Sequence, residues 1–277
     1  MSTDVQWEGG FFGKKRQEMI HRRMFGFLCL GEGGNINRGD EIVCDWLTDG
    51  VGWSELSEDE ETIFASLAKA LPDADFHYET SFDYEGGGLE QMYHDIEYVN
   101  GRLSLSTTSY GETHGKDEED ENVYWDDDYS CYVRKHETSL WCCIDEEGII
   151  GNDELSEKCL NLEKDALSEI LDLIETGTDD PEALMDIGML YETGLAAIDR
   201  NLTVAWNYYL KAAGAGYKDA IRIVKEIFSD ECKDDLKELF ANKSISKNSF
   251  PVFFDLAAKE NNAELTARLL EYKASLE

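Results

Sequence analysis

EALMDIGMLYETGLAAIDRNLTVAWNYYLKAAGAGYKDA, residues 182–220, reads as two short helices joined by a turn. Pro181 stands where the first helical position tolerates a missing N–H. Ala183, Leu184, Ile187, Gly188 and Tyr191 then fall on one face of a 3.6-residue period. Gly194 is placed to end that helix in a left-handed conformation. A second helix runs from about Leu202, with Ala205, Trp206, Tyr209, Ala212 and Ala213 turned inward, and Gly214 and Gly216 close it. Gly188 and Ala205 are small, which lets the two helices cross closely while Trp206 and Tyr209 fill the space left over.

This order resembles the Sel-one-like repeat, a relative of the tetratricopeptide repeats. The matching positions are Ala183, Leu184, Gly188, Tyr191, Gly194, Asp199, Ala205, Trp206, Tyr209, Lys211, Ala212, Ala213, Gly216 and Ala220. One departure lies in the turn, where Leu195-Ala196-Ala197 stands in place of a Gly-rich segment. The resemblance covers residues 182–220 and implies a helical hairpin that stacks on neighbours and binds proteins. It carries no catalytic residues to transfer.

A single hairpin cannot bury both its faces, so neighbours are required. Upstream, residues 154–175 place Leu155, Cys159, Leu162, Ala166, Leu167, Ile170, Leu171 and Ile174 on one helical stripe. Downstream, residues 220–228 and 234–241 have the look of further helices. Residues 251–273 resemble the helix pair of an ankyrin-type repeat, with Leu256-Ala257-Ala258, an Asn261-Asn262 break, and then Leu265, Leu269 and Leu270. The expectation is a helical-repeat domain over residues 151–277 with an ankyrin-like cap.

Residues 1–150 mix periods. Lys14 to Phe27 suggests a helix bearing Lys14, Lys15, Arg16, Arg22 and Arg23. Ser57 with Glu60 is a capping-box pair, and Ile63, Phe64, Leu67, Ala68 and Leu71 follow at helical spacing before Pro72. Phe76 to Tyr84 is extended and aromatic. Gly86-Gly87-Gly88 breaks it, and Met92 to Val99 reads as a strand. Asn100-Gly101 ahead of alternating Leu103 and Leu105 is the strongest short-range hairpin signal. Val123 to Trp125, Tyr129 to Val133 and Leu140 to Ile144 read as further strands. The fold class expected is α+β: an N-terminal antiparallel sheet with one or two helices, followed by an all-α helical-repeat domain.

The net charge is -35, and it is unevenly placed. Residues 51–200 hold 40 acidic and 8 basic residues, whereas residues 201–277 hold 12 and 11. Such a field repels nucleic acid and anionic membranes and draws basic partners. The acid is densest in Asp117, Glu118, Glu119, Asp120 and Glu121, a run that cannot pack together and reads as a solvated tip. The seven cysteines, at 29, 44, 131, 142, 143, 159 and 232, form no CxxC pair and suggest free thiols. No export signal is visible, and no segment approaches the roughly 20 apolar residues of a membrane span. A cytoplasmic protein is expected.

His94, Asp95, Glu97, His114, His136, Cys142 and Cys143 match no metal-ligand spacing, and the Gly31–Gly34 and Gly86–Gly88 segments lack the context of a phosphate-binding loop. Cys142-Cys143 beside Trp141 reads as buried strand. No cofactor or metal is expected. Tyr124, Trp125, Tyr129 and Tyr132 interleave aromatics with acids, among them Asp126, Asp127 and Asp128, as an interface hot spot against a basic protein would. The function expected is therefore a non-enzymatic, bacterial-type protein-binding protein. An acidic head on a helical-repeat tail is similar in architecture to immunity proteins that neutralise basic toxins. Two alternatives stand beside it: an adaptor working through the repeat alone, and an enzyme with a site drawn from residues such as His94, Glu97 and His136.

Overall fold

The structure is a computed structural model that describes residues 3–30, 58–85, 89–113, 122–127, 131–145, 148–226, 250–259 and 263–275. Seven strands build one antiparallel sheet: β1 (Thr3–Phe12), β2 (Asp75–Glu85), β3 (Leu89–Val99), β4 (Arg102–Thr113), β5 (Val123–Asp126), β6 (Cys131–Asp145) and β7 (Gly148–Ile149). Their order is β1-β2-β3-β4-β6-β5, and β7 pairs with β6. β3 and β4 meet at Asn100-Gly101, with Val99 opposite Arg102. Both turn residues have positive φ, 51° and 77°, which only a two-residue type I′ turn demands of both positions.

Strand alternation then sorts the side chains. Phe76 and Tyr78 of β2, Met92, Ile96 and Tyr98 of β3, and Leu103 and Leu105 of β4 are buried on one face. Among the described residues, three helices belong to the same compact unit: α1 (Lys15–Leu30) from Gln17 onward, α2 (Glu58–Ala70) and α3 (Asp153–Ala166). Phe25 of α1 meets Phe64 of α2, and Phe64 meets Phe76 and Tyr78 of the sheet. Each of these fully buried aromatics contributes about 1.5–3 kcal/mol of transfer free energy. α3 packs on α2 and β7. Lys69 donates to the fully buried Glu163 carboxylate, and the Cys159 thiol donates to Thr62 O at 3.5 Å.

A second compact unit comprises residues 14–16 and 167–277. It contains α4 (Ser168–Thr176), α5 (Pro181–Thr193), a single 3-10 turn (Leu195–Ala197), α6 (Leu202–Gly214), α7 (Lys218–Glu226), α8 (Phe250–Lys259) and α9 (Ala263–Ser275). α4 packs on α5, α5 on α6 and α6 on α7, and α8 packs on α9. Asp180 caps α5 by accepting from Ala183 N at 2.9 Å, and Asn201 caps α6 by accepting from Val204 N at 3.1 Å.

The expected fold class is corrected in two respects. Among the described residues the sheet has seven strands and carries three helices rather than one or two, because β1 and α3 both belong to it. An all-α repeat domain from residue 151 fits only in part. The stripe over residues 154–175 is not one helix: α3 ends at Ala166 and α4 begins at Ser168, across a non-helical Leu167. Cys159 and Glu163 meet Thr62 and Lys69 of α2, so α3 packs within the sheet unit. Of the basic cluster of α1, Arg16 and Arg23 are buried. The Ser57 cap, the expected helix at 234–241 and the Asn261-Asn262 break lie outside the described residues.

Candidate binding face

The helices cover one side of the sheet, and strand alternation sends the other residues to the opposite side. Register assigns to that open side Phe12 of β1, His77 and Glu79 of β2, Tyr93, Asp95 and Glu97 of β3, and Arg102 and Tyr110 of β4. Lys135, Glu137 and Trp141 of β6 and Tyr124 of β5 complete it. Large apolar groups stand in solvent here: Phe12, Tyr93, Tyr124 and, at 64% exposure, Trp141. Large rings left in water on an otherwise polar face mark contact surfaces.

The rings are organised. Tyr93 meets Tyr110 edge to face at 5.9 Å between centroids, and Lys135 Nζ lies 6.0 Å from the Tyr110 ring centre. At the far end of the sheet the Arg102 guanidinium lies 5.2 Å over Trp141. Ser104, Ser106, Thr108 and Ser139 occupy the middle by register. Acids surround them: Asp75, Glu79, Asp95, Glu97, Glu112 and Glu137, against Arg102 and Lys135. Lys135 is itself paired with Glu137, which holds its ammonium above the usual lysine range, and His77 Nε2 lies 3.3 Å from Asp95 Oδ1. The result is a hydroxyl-lined centre with an acidic and aromatic border.

The expected cluster at residues 124–128 is divided by the same alternation. Tyr124 lies opposite Val133 and joins the open face. Trp125 lies opposite Tyr132, half exposed at the sheet edge, meets that ring at 5.1 Å and donates from Nε1 to Asp127 Oδ1 at 3.0 Å. Asp126 closes β5. Asp117, Glu118, Glu119, Asp120, Glu121 and Asp128 lie outside the described residues. Of Cys142-Cys143, expected to be buried, Cys142 is buried and Cys143 only partly so, while the neighbouring Trp141 is the most exposed ring of the face. Tyr93, Tyr110, Glu137 and Trp141 carry the face, and the period-2 pattern of β3, β4 and β6 is the signal that assigns them.

The alternative constellation is only partly gathered. His94 is buried on the covered side, with Nδ1 at 3.2 Å from Thr107 Oγ1 and 3.6 Å from the buried Glu60 carboxylate. Burial pushes its pKa down to about 4. Glu97 points to the open face, so His94 meets Glu60 and not Glu97. His136 lies opposite Ser109 on the covered side, one diagonal step from the His94-Thr107 row. Among the described residues, no three His, Cys, Asp or Glu side chains are grouped to hold a metal ion. Cys29, Cys131, Cys142, Cys143 and Cys159 are free thiols. Burial raises Cys142 and Cys159 to about 11 and Cys29 further, so these three stay protonated near neutral pH.

In the second unit the hairpin residues converge on one another. Gly188 faces the Tyr209 ring and Ala205 O, and Gly194 ends α5 in the left-handed region at φ 73°. Trp206, Tyr209, Ala205, Ala212 and Ala213 are fully or almost fully buried. Gly216, at φ 95°, follows α6. Tyr209 Oη donates to Glu192 Oε2 at 2.7 Å, and Arg16 Nε lies 2.9 Å from Glu192 Oε1. Tyr191 stacks on Tyr208 at 5.9 Å, with Lys211 over the Tyr208 ring.

No helix among the described residues is long and apolar enough to cross a membrane. No family model, no curated protein and no solved structure matches this chain.

Proposed function

We propose that this chain is a protein-binding protein whose open sheet face takes a basic partner, and that it acts as an immunity-type inhibitor holding that partner inactive. The observation that carries the reading is the set of exposed rings, Tyr93, Tyr124 and Trp141, bordered by Asp95, Glu97 and Glu137. Rings of this size desolvate well and anchor interfaces, while bordering acids steer a cationic partner and select against anionic ones. The net charge of -35 extends that steering beyond contact distance. In this reading the Sel-one-like hairpin is scaffold.

Affinity capture from the host with the full chain tests the proposal. A basic protein should be retained at low salt, released at high salt, and absent when Tyr93→Ser and Trp141→Ser are combined. Recovery of no basic protein, or equal recovery by the double variant, would sink it.

A second reading, an adaptor acting through the hairpin alone, draws on the half-buried Tyr191-Tyr208 stack capped by Lys211. It predicts a partner lost with Tyr208→Ala and indifferent to Trp141→Ser.

A further inference from the structure

β6 is 15 residues long, yet the strands on the side away from β4 cover only its ends. β5 pairs with residues 131–134, and β7 pairs with Ile144 and Asp145. At the two limits Lys135 N donates to Asn122 O at 2.9 Å, and Cys143 O accepts from Ile150 N at 2.9 Å. In an antiparallel ladder every second residue directs both its N–H and its C=O to the same side. Glu137, Ser139 and Trp141 share the parity of Lys135 and Cys143, so their main-chain groups face away from β4. Among the described residues no main-chain hydrogen bond meets them there. An unpaired edge of this kind is a template for another strand. Here it is a gap of seven residues, roughly 24 Å at about 3.4 Å per residue, with β5 and β7 already pairing along the same edge.

We propose that this gap is a strand-addition site: an extended, basic segment of the partner pairs antiparallel with Glu137, Ser139 and Trp141, between β5 and β7. The proposal rests on the binding reading above and names how the partner is held. Side-chain chemistry selects the occupant. On the open face the exposed Glu137 carboxylate offers a cross-strand partner to a lysine or arginine, and Trp141 offers a broad ring to a long or aromatic side chain. On the other face the half-buried Leu140 and Thr138 suit apolar or β-branched residues. The fitting segment therefore alternates cationic with apolar positions. A second copy of this chain fits poorly. Antiparallel pairing of two β6 strands about Ser139 would set Glu137 against Trp141 with no cation gained, between chains that each carry -35.

Amide hydrogen exchange on the full chain decides it, with an eight-residue peptide alternating lysine and valine as probe and a glutamate-valine peptide as control. The lysine-valine peptide should slow exchange at Glu137, Ser139 and Trp141 at least about tenfold; the control should not. Ser139→Pro removes one outward N–H without breaking a bond to β4. It should weaken the lysine-valine peptide about tenfold, one hydrogen bond's worth, while the amides of Thr138 and Leu140 stay protected. Binding that leaves the three amides unslowed, or that Ser139→Pro does not weaken, overturns strand addition and leaves the acidic-face reading standing. Equal protection by the glutamate-valine peptide overturns the basic occupant. If neither the lysine-valine peptide nor any basic host protein binds, both readings fall. Should Ser139→Pro not fold, exchange in the unsubstituted chain decides alone.

Discussion

A β-carbon placed on Gly188 would stand 2.5 Å from Tyr209 Cε1, so the α5–α6 crossing is set by the absence of one methyl group. The ring cannot retreat easily, because Tyr209 is fully buried and its hydroxyl is bonded to Glu192. Gly188→Ala would gain about 1 kcal/mol of helix propensity and lose about 1–3 kcal/mol to overpacking. The expected result is a net loss of up to about 2 kcal/mol in urea unfolding of the hairpin. An Ala variant more stable than the parent would contradict this close approach.

Tyr209→Phe keeps the ring and removes only the donor to Glu192 Oε2. Hydrogen bonds to a buried charge are worth about 1.5–3 kcal/mol, so a loss of that size is expected. Burial and the Glu192 carboxylate together hold the Tyr209 hydroxyl well above the usual phenol range, so it remains protonated throughout the accessible pH range. A double-mutant cycle with Glu192→Gln should show coupling of at least about 1 kcal/mol, whereas additive losses would mean that the bond contributes nothing specific.

The turn after α5 carries Ala196 and Ala197 at φ 55° and 62°, in the left-handed region. An alanine there costs about 1–2 kcal/mol, offset in part by the larger unfolded-state entropy of glycine. Ala197 is exposed, so its methyl contributes little packing. Ala197→Gly should therefore raise stability by about 0.5–1 kcal/mol, visible as an upward shift of the thermal midpoint. A downward shift would show that the turn is not strained.

Acid sensitivity should come first from the histidines of the sheet unit. His21 is buried against Tyr78 Oη at 2.9 Å, and burial, helped by Arg22, pushes its pKa down to about 3. His94 lies near 4 by burial. Both folded values lie below the unfolded value of about 6.5. Below pH 6.5 the unfolded chain gains protons that the folded chain refuses. Stability then falls by up to about 1.4 kcal/mol per pH unit for each histidine, down to pH 4 for His94 and pH 3 for His21. Above pH 6.5 neither contributes. A proton NMR titration in which His21 shows a midpoint near 6.5 would contradict this.

Much of the local structure was legible in the chain. Asn100-Gly101 announced its turn through the positive φ it tolerates, and Pro181 and Gly194 mark the ends of α5 through chemistry confined to a few residues. β1 was not legible: Gly9 and Gly10, at φ 135° and 156°, interrupt its pattern, and a β-carbon on Gly9 would stand 2.1 Å from His77 O. That glycine is explained by a strand 68 positions away in the chain, which no local period can reveal. The stripe over residues 154–175 misled for a related reason, since a helical period records which face is apolar but not whether the helix is continuous.

The candidate face divides in the same way. Composition alone placed the acid in residues 51–200, and aromatic–acid interleaving pointed to Tyr124 and Trp125. Period-2 alternation was enough to put neighbours on opposite sides of a strand. It could not say which side is covered, because burial depends on where the helices pack. Tertiary structure decided that: Cys142 and His94 went under the helices, while Trp141 and Tyr93 stayed in water. It also decided the length of β5 and β7, and with them the stretch of β6 that no described strand pairs with on that side. Sequence sets local conformation and charge through short-range sterics and composition; only the packing of distant segments determines which residues are left facing solvent.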